Sequence, residues 1–417
     1  MKRYALAWFL MLSAAGALYA QLTFSGILDS TVSMYAGAGD SPAFSMGLEE
    51  YANVRFQARL REGAAISGAV NLFAVTGTYA QAAVSMAALN SGSFLSGTAY
   101  AAGEYYAAAI ELERLHFRLN GNYIDFSGGL MRMPFGYGQV FGPSDFLNPK
   151  NPLKPGARLR AVLGSTITWY PVNELKLLGF FAAPRDVLSP NSREGGGSLF
   201  GISMDYHWNI ASLQALYSYE TPNEIPKSDN SSKFGIHRAG LSLKVDIEVG
   251  LHLDALYTYN HEAKTNENGL SVSAGADYTL FGGNLYILVE YLYNGGKSST
   301  AYDPGKNTLG FYNNHYLYTG FTYRFSDFTS MNFTLISCFD DISFTPVVSV
   351  NQELFQGVTL TVTAQVPLDR DLFSNNGKRG EFGPIRPDHM QPRSQDGKVI
   401  GRYGSYFNLN AGVRIRF

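Results

Sequence analysis

The chain has 417 residues with 32 basic and 34 acidic side chains, and a formal net charge of −2 argues against a general nucleic-acid binder, which would be basic overall. Its one cysteine, Cys338, rules out an intrachain disulfide and the small disulfide-stapled secreted scaffolds; a lone thiol of this kind reads as a packed apolar residue. With 27 Tyr, 28 Phe and 44 Gly beside 16% charged residues, and no later stretch apolar for the ~18 residues of a transmembrane helix, the composition points to a membrane β-barrel.

Residues 1–20 open with Lys2 and Arg3, continue with an apolar run too short to span a bilayer, and end in the small residues Ala14 to Ala17 and the loose cleavage pattern Leu18-Tyr19-Ala20. They are expected to be a removed secretory signal, leaving one domain over 21–417 with 30 basic and 34 acidic residues, a net charge of about −4. No Cys follows the cleavage site, so lipid anchoring is not indicated.

From Gln21 onward, segments of about 10 to 13 residues alternate apolar and polar positions, each long enough to cross a bilayer at the ~45° tilt of a barrel strand. Leu22, Phe24, Gly26 and Leu28 oppose Thr23, Ser25 and Asp29; Val54, Phe56, Ala58 and Leu60 oppose Arg55, Gln57 and Arg59. In the fourth segment Ile110 and Leu112 run out of phase with Leu115, Phe117 and Leu119, which predicts a bulge or a later strand start. Around 342–366 the reading is weakest, because Pro346 is tolerated in a strand only at an end or a bulge.

Tight turns fall near Arg61, Asn120-Gly121, Pro171, Trp208-Asn209, Ile247, Gly282-Gly283, Ser326-Asp327 and Gln356-Gly357. Between them lie longer loops at 36–50, 76–108, 135–157, 184–196, 221–233, 261–268, 295–313 and 367–402, with one short connection near Asp340-Asp341. Short turns at one end and long loops at the other define an all-β, transmembrane, antiparallel up-and-down barrel of about eighteen strands, sixteen being the alternative. Tyr217, Tyr219, Tyr257, Tyr259, Tyr291 and Tyr293 end rising strands on the lipid parity, where an interfacial girdle belongs; Trp169 and Trp208 sit at the opposite ends.

The stretch SYFNLNAGVRIRF, Ser405 to Phe417, puts Phe407, Leu409, Ala411, Val413, Ile415 and Phe417 on one parity and Arg414 and Arg416 on the other. It resembles the aromatic-ended final strand by which bacterial outer-membrane porins are recognised for assembly, with Phe417 in the aromatic position. The whole of 21–417 is similar to such a porin. The resemblance implies a bacterial outer-membrane location, membrane lipid and the barrel-assembly machinery as partners, a possible homotrimer, and a third loop folded into the lumen. By order along the chain that loop is 135–157. Its aromatics Phe135, Tyr137, Phe141 and Phe146, with Asp145, make it the candidate constriction, because so apolar a loop is unsuited to open solvent.

Arg on a lipid face would cost ~2–4 kcal/mol at the midplane, so the strand register should turn such side chains inward. Pore-lining candidates are Arg55, Arg59, Arg114, Arg118, Arg158, Arg160, Arg324, Arg414 and Arg416, against Asp205, Asp254, Asp277 and Glu290 on other strands. Counting all inward positions gives twelve basic and eight acidic residues, which predicts a weak anion preference. The seven histidines are scattered, and no HExxH, G-x-S-x-G or P-loop occurs, so neither catalysis nor a metal or other cofactor is expected. The reading is passive diffusion of small hydrophilic solutes or ions through a water-filled lumen. A surface adhesin or receptor using loops 76–108 and 367–402 is the alternative, and an outer-membrane hydrolase a minor one.

Overall fold

The computed structural model describes residues 21–37, 44–78, 99–103, 105–150, 161–184, 197–222, 235–260, 269–295, 311, 313–369, 380–383 and 405–417. The proposed signal and the candidates Arg158 and Arg160 lie outside them.

Eighteen strands form the wall. They are β1 (Gln21–Gly37), β2 (Phe44–Arg61), β3 (Ala64–Gly77), β4 (Tyr106–Asn120), β5 (Ile124–Met131), β6 (Val162–Val172), β7 (Leu175–Ala182), β8 (Leu199–Trp208) and β9 (Ala211–Glu220). The circuit continues with β10 (Ile236–Asp246), β11 (Gly250–Asn260), β12 (Gly269–Leu280), β13 (Leu285–Asn294), β14 (His315–Arg324), β15 (Thr329–Cys338), β16 (Ser343–Phe355), β17 (Val358–Gln365) and β18 (Ser405–Arg416). Each pairs antiparallel with its neighbours in sequence, and β18 returns to β1, with Arg414 opposite Asp29, so the barrel has no open edge. Two short strands, Ala99–Ala102 and Leu368–Asp369, pair with β4 and β16 beside the wall.

The register sorts side chains by parity. On β8, Phe200, Ile202, Met204, Tyr206 and Trp208 point out and are exposed, whereas Ser203 and Asp205 point in and are buried. A polar interior behind an apolar exterior inverts the arrangement of a soluble globule and matches a barrel solvated by lipid outside and water inside. Tyr217, Tyr257, Tyr291 and Tyr293 are exposed on the outer face toward the long-loop end, and Trp169 and Trp208 stand exposed beside the short turns.

Irregularities have local causes. The ladder between β3 and β4 slips between Ala69 and Val70, so that Arg114 faces Ala69, Leu112 faces Val70 and Glu113 is the extra residue. That slip brings Ile110 and Leu112 into line with Leu115 and Phe117 on the outer face. Pro346 lies within β16, where pairing with β17 stops at Val347 opposite Gln365 and resumes at Phe344 opposite Leu368. Its missing N–H falls in that interruption, and its carbonyl accepts from the Val366 amide at 3.2 Å.

The loop expected at 36–50 is mostly strand. β1 runs to Gly37 and β2 starts at Phe44, because Phe44, Met46 and Leu48 continue the outward parity through a stretch whose Gly47, Glu49 and Glu50 resemble a turn. Likewise β3 extends to Gly77 and β4 begins at Tyr106, shortening the loop expected at 76–108 from both sides.

Candidate functional site

After β5 the chain does not leave the barrel. Residues 132–150 turn inward, and 141–148 are buried without exception. The apolar side chains lie against inward-facing residues of the far wall. Phe135 stacks on Phe146 and meets Phe180 of β7 at 4.8 Å between ring centroids, in a cluster with Leu147, Leu199, Leu216 and Leu256. Phe141 meets Phe311 at 5.6 Å and Tyr316 of β14 at 6.4 Å, beside Leu288, Leu292 and Ile336. The Arg238 guanidinium of β10 lies 4.9 Å from the centroid of the Phe146 ring.

The loop's backbone amides are satisfied by carboxylates and an amide on the wall. Glu290 of β13, fully buried, accepts from the N–H groups of Gln139 at 3.0 Å and Val140 at 2.9 Å through Oε2 and of Phe141 at 2.8 Å through Oε1, and its Oε2 lies 2.9 Å from His252 Nε2. Asp254 of β11, fully buried, accepts from Ser144 N–H at 3.2 Å and Ser242 Oγ at 2.6 Å. Gln214 of β9 accepts from Gly136 N–H at 2.6 Å and donates to Asp205 of β8, which pairs with Lys176 at 2.8 Å. Gly136 is required here. Its φ of 78° lies in the left-handed region, and a Cβ would come within 2.5 Å of Asp254 Oδ2.

Within the loop, Asn148 Oδ1 accepts from Met133 N–H at 2.8 Å, and Lys150 Nζ donates to the Gly138 carbonyl at 2.7 Å. Burial pushes the Asp145 carboxyl up to about 7, against the opposing pull of Lys150 and the Phe135 amide. Burial likewise pushes the Tyr137 phenol up to about 12, with Asp205 adding to the shift. Gln139 is exposed and bridges Tyr286 Oη at 3.0 Å and Asp277 Oδ2 at 3.4 Å.

The inward acids therefore divide. Asp254 and Glu290 stand behind the loop as its anchors, Asp205 is buried between Lys176 and the Gln214 amide that accepts from the loop, and Asp277 is part-exposed beside Gln139. On the wall the loop does not cover, Arg55, Arg59, Arg114 and Arg118 project inward from β2 and β4, and among the described residues none of them forms an ion pair. Arg414 is paired with Asp29 at 2.5 Å, Arg416 is exposed on the inward parity of β18, and Arg324 is exposed at the short-turn end of β14.

A buried network that the sequence does not announce links β2, β3 and β4: Asn53 donates to Asn71 at 2.6 Å and to Glu113 at 2.7 Å, and Glu113 pairs with Arg132 at 2.6 Å. The bulge aims Glu113 inward, so only the slipped phase of the fourth segment carried a signal for it. The ladder also adds Glu49, Glu111, Glu113 and Glu220 to the inward acids and Arg132 to the inward bases, while Glu248 falls in a turn. The excess of four positive charges obtained by counting does not survive, and what remains is the separation of covered acids from uncovered arginines. At the long-loop end, Cys338, Asp341 and Glu381 bring their ligand atoms within 4.8 Å of one another; Ser343 Oγ donates to Asp341, Tyr316 Oη donates to Glu381, and Asn313 Nδ2 donates to both carboxylates.

A closed eighteen-stranded antiparallel barrel with a loop packed inside it defines the fold. No protein-family model matches the sequence, and no curated protein matches it. Solved structures do match in fold. A BenF-like porin from Pseudomonas fluorescens Pf-5 aligns at 9% identity over 95% of this chain and 98% of its own, with a TM-score of 0.55. OccK8 (OprE) from Pseudomonas aeruginosa aligns at 11% identity over 95% and 98%, with a TM-score of 0.54. OccAB4 from Acinetobacter baumannii aligns at 9% over 95% and 99%, with a TM-score of 0.52. At these identities the likeness is one of fold, and it extends over nearly the whole chain.

Proposed function

We propose that this protein is an outer-membrane porin through which small hydrophilic solutes or ions diffuse passively. The observation that carries the reading is a wall apolar outside and polar inside, closed at eighteen strands, with the 132–150 loop narrowing its lumen from one side. Barrels of 16–18 strands leave an aqueous channel, whereas eight-stranded ones are filled by their own side chains. The fold neighbours that are themselves described as porins support transport over catalysis.

Membrane lipid, the barrel-assembly machinery and the permeating solutes are the partners this reading calls for, with Phe417 the assembly signal. Selectivity belongs to the uncovered wall. With Asp254 and Glu290 engaged by the loop and Asp205 buried and paired with Lys176, Arg55, Arg59, Arg114 and Arg118 bias the lumen toward anions. Purified protein added to a planar bilayer should produce discrete conductance steps. Insertion without steps, under conditions where heat-modifiable gel mobility shows a folded barrel, would overturn the porin reading in favour of a barrel serving as an anchor.

A further inference from the structure

Two separate apolar groups hold the loop that narrows the lumen, and they differ in what completes them. Around Phe135, Phe146 and Leu147 the partners among the described residues are wall strands, with Phe180, Leu199, Leu216 and Leu256 coming from β7, β8, β9 and β11. Around Val140 and Phe141, at the loop's tip, the wall is not enough. Beside Leu288, Leu292 and Tyr316 of β13 and β14, this group takes in Phe311 from the connection between β13 and β14 and Phe382 from the connection between β17 and β18.

Connections between strands ordinarily run over the surface, because buried loop backbone leaves polar groups unpaired. Residues 380–383 are nevertheless buried without exception, and their backbone is paired. The Glu381 amide donates to Asp341 Oδ2 at 2.7 Å and the Phe382 amide to Ser343 Oγ at 3.0 Å, while the Phe382 carbonyl accepts from Thr345 Oγ1 at 3.0 Å. Tyr316 Oη donates to Glu381 Oε2 at 2.6 Å. These bonds seat the Phe382 ring 5.8 Å from Tyr316 and 6.4 Å from Phe311 between centroids, and those two rings are the ones that meet Phe141. Contact therefore runs unbroken from 380–383 to the tip of the loop.

We propose that residues 380–383 are a latch on the tip of the constriction loop, so that the connection between β17 and β18 sets how far the lumen is narrowed. Glu381 and Phe382 are positioning residues, acting on Phe141 through Tyr316 and Phe311. Withdrawing the Phe382 ring leaves a space behind both, and a packed group loses its dispersion contacts when one side of it is emptied. The tip is then held by the Glu290 bonds alone, while the Phe135 and Phe146 half stays on its own wall. The lumen has two widths, and the change between them is worked from the long-loop end. The inference deepens the transport reading and rests on it only where conductance is the measurement.

The chain's one cysteine reports on the latch, because Cys338 is 1% exposed and belongs to the same group as Phe382. In the full chain folded in detergent, Phe382→Ala should speed the labelling of Cys338 by a polar maleimide about tenfold, the factor corresponding to 1.4 kcal/mol. With Cys338→Ser and Val140→Cys the same reagent reads the tip, where Phe382→Ala should have a similar effect and Phe382→Leu, which refills the space, should restore protection. Leu147→Cys, in the other group, should label no faster. In a planar bilayer the Phe382→Ala channel should spend more of its time at a conductance above that of wild type and below that of a chain lacking Gln139 to Lys154. Faster labelling of Cys338 with no change at position 140 would overturn the latch, as would equal acceleration at position 147, or unchanged labelling throughout in a variant that keeps its heat-modifiable mobility. A wild type that never conducts would instead sink the porin reading, and the labelling would still decide the latch.

Discussion

Glu290 holds more of the loop than any other single side chain, because its two oxygens accept three successive backbone N–H groups from 139–141. An unsatisfied buried donor costs ~1–3 kcal/mol, so Glu290→Ala would leave the docked loop short by several kcal/mol, while the β13 ladder, made of backbone alone, persists. The loop should leave the wall, and single-channel conductance should rise toward that of a chain lacking Gln139 to Lys154. Unchanged conductance in a folded Glu290→Ala barrel would mean that the apolar contacts of Phe135, Phe141 and Phe146 hold the loop alone. The sequence shows this loop's apolar character and the inward parity of Glu290 and Asp254, but not that they meet. That meeting joins positions some 110 to 150 residues apart, and no local pattern encodes it.

At the level of the strand, alternation made most of the wall legible, and the failures share a cause. Glu49-Glu50 and Gly47 read as a turn because charge and glycine usually mark one, yet here they sit in β2 with Glu49 inward, bonded to Ser33, and Glu50 outward, bonded to Ser30. The phase of Ile110 and Leu112 allows a bulge or a later strand start, and the ladder resolves it as a bulge at Glu113, which shifts the phase of every apolar residue before it. Phe417 shows how closely the final ladder is fitted: it exchanges backbone hydrogen bonds with Gly26 at 2.8 and 3.1 Å, and its ring covers the space that a Cβ on Gly26 would fill. Deleting Phe417 removes both bonds and that contact, and the heat-modifiable, folded fraction in the membrane should fall severalfold. A folded fraction equal to wild type would separate the aromatic ending from assembly.

Across the whole molecule, the loop converts a barrel of mixed inward charge into a lumen with one covered and one uncovered wall. In a salt gradient the reversal potential should indicate a modest anion preference at ~0.1 M, where the Debye length is ~10 Å, and the preference should fade at 1 M, where it is ~3 Å. Changing Arg55, Arg59 and Arg118 together to Gln should reduce it, and a cation-selective wild type would show that Glu49, Glu111 or the long loops set the field instead. The inward parity of Arg55, Arg59, Arg114 and Arg118 along β2 and β4 is readable from the sequence, but which acids the loop covers is not. The pairing of β18 with β1 also bears on how the barrel comes to exist. Gly26 and Phe417 are 391 positions apart, so ring closure brings together nearly the two most distant parts of the sequence described, a slow, entropy-limited event in any chain. Until it happens, every intermediate exposes two unpaired strand edges with the row of backbone donors and acceptors on which chains aggregate, and only the meeting of the first and eighteenth strands removes them.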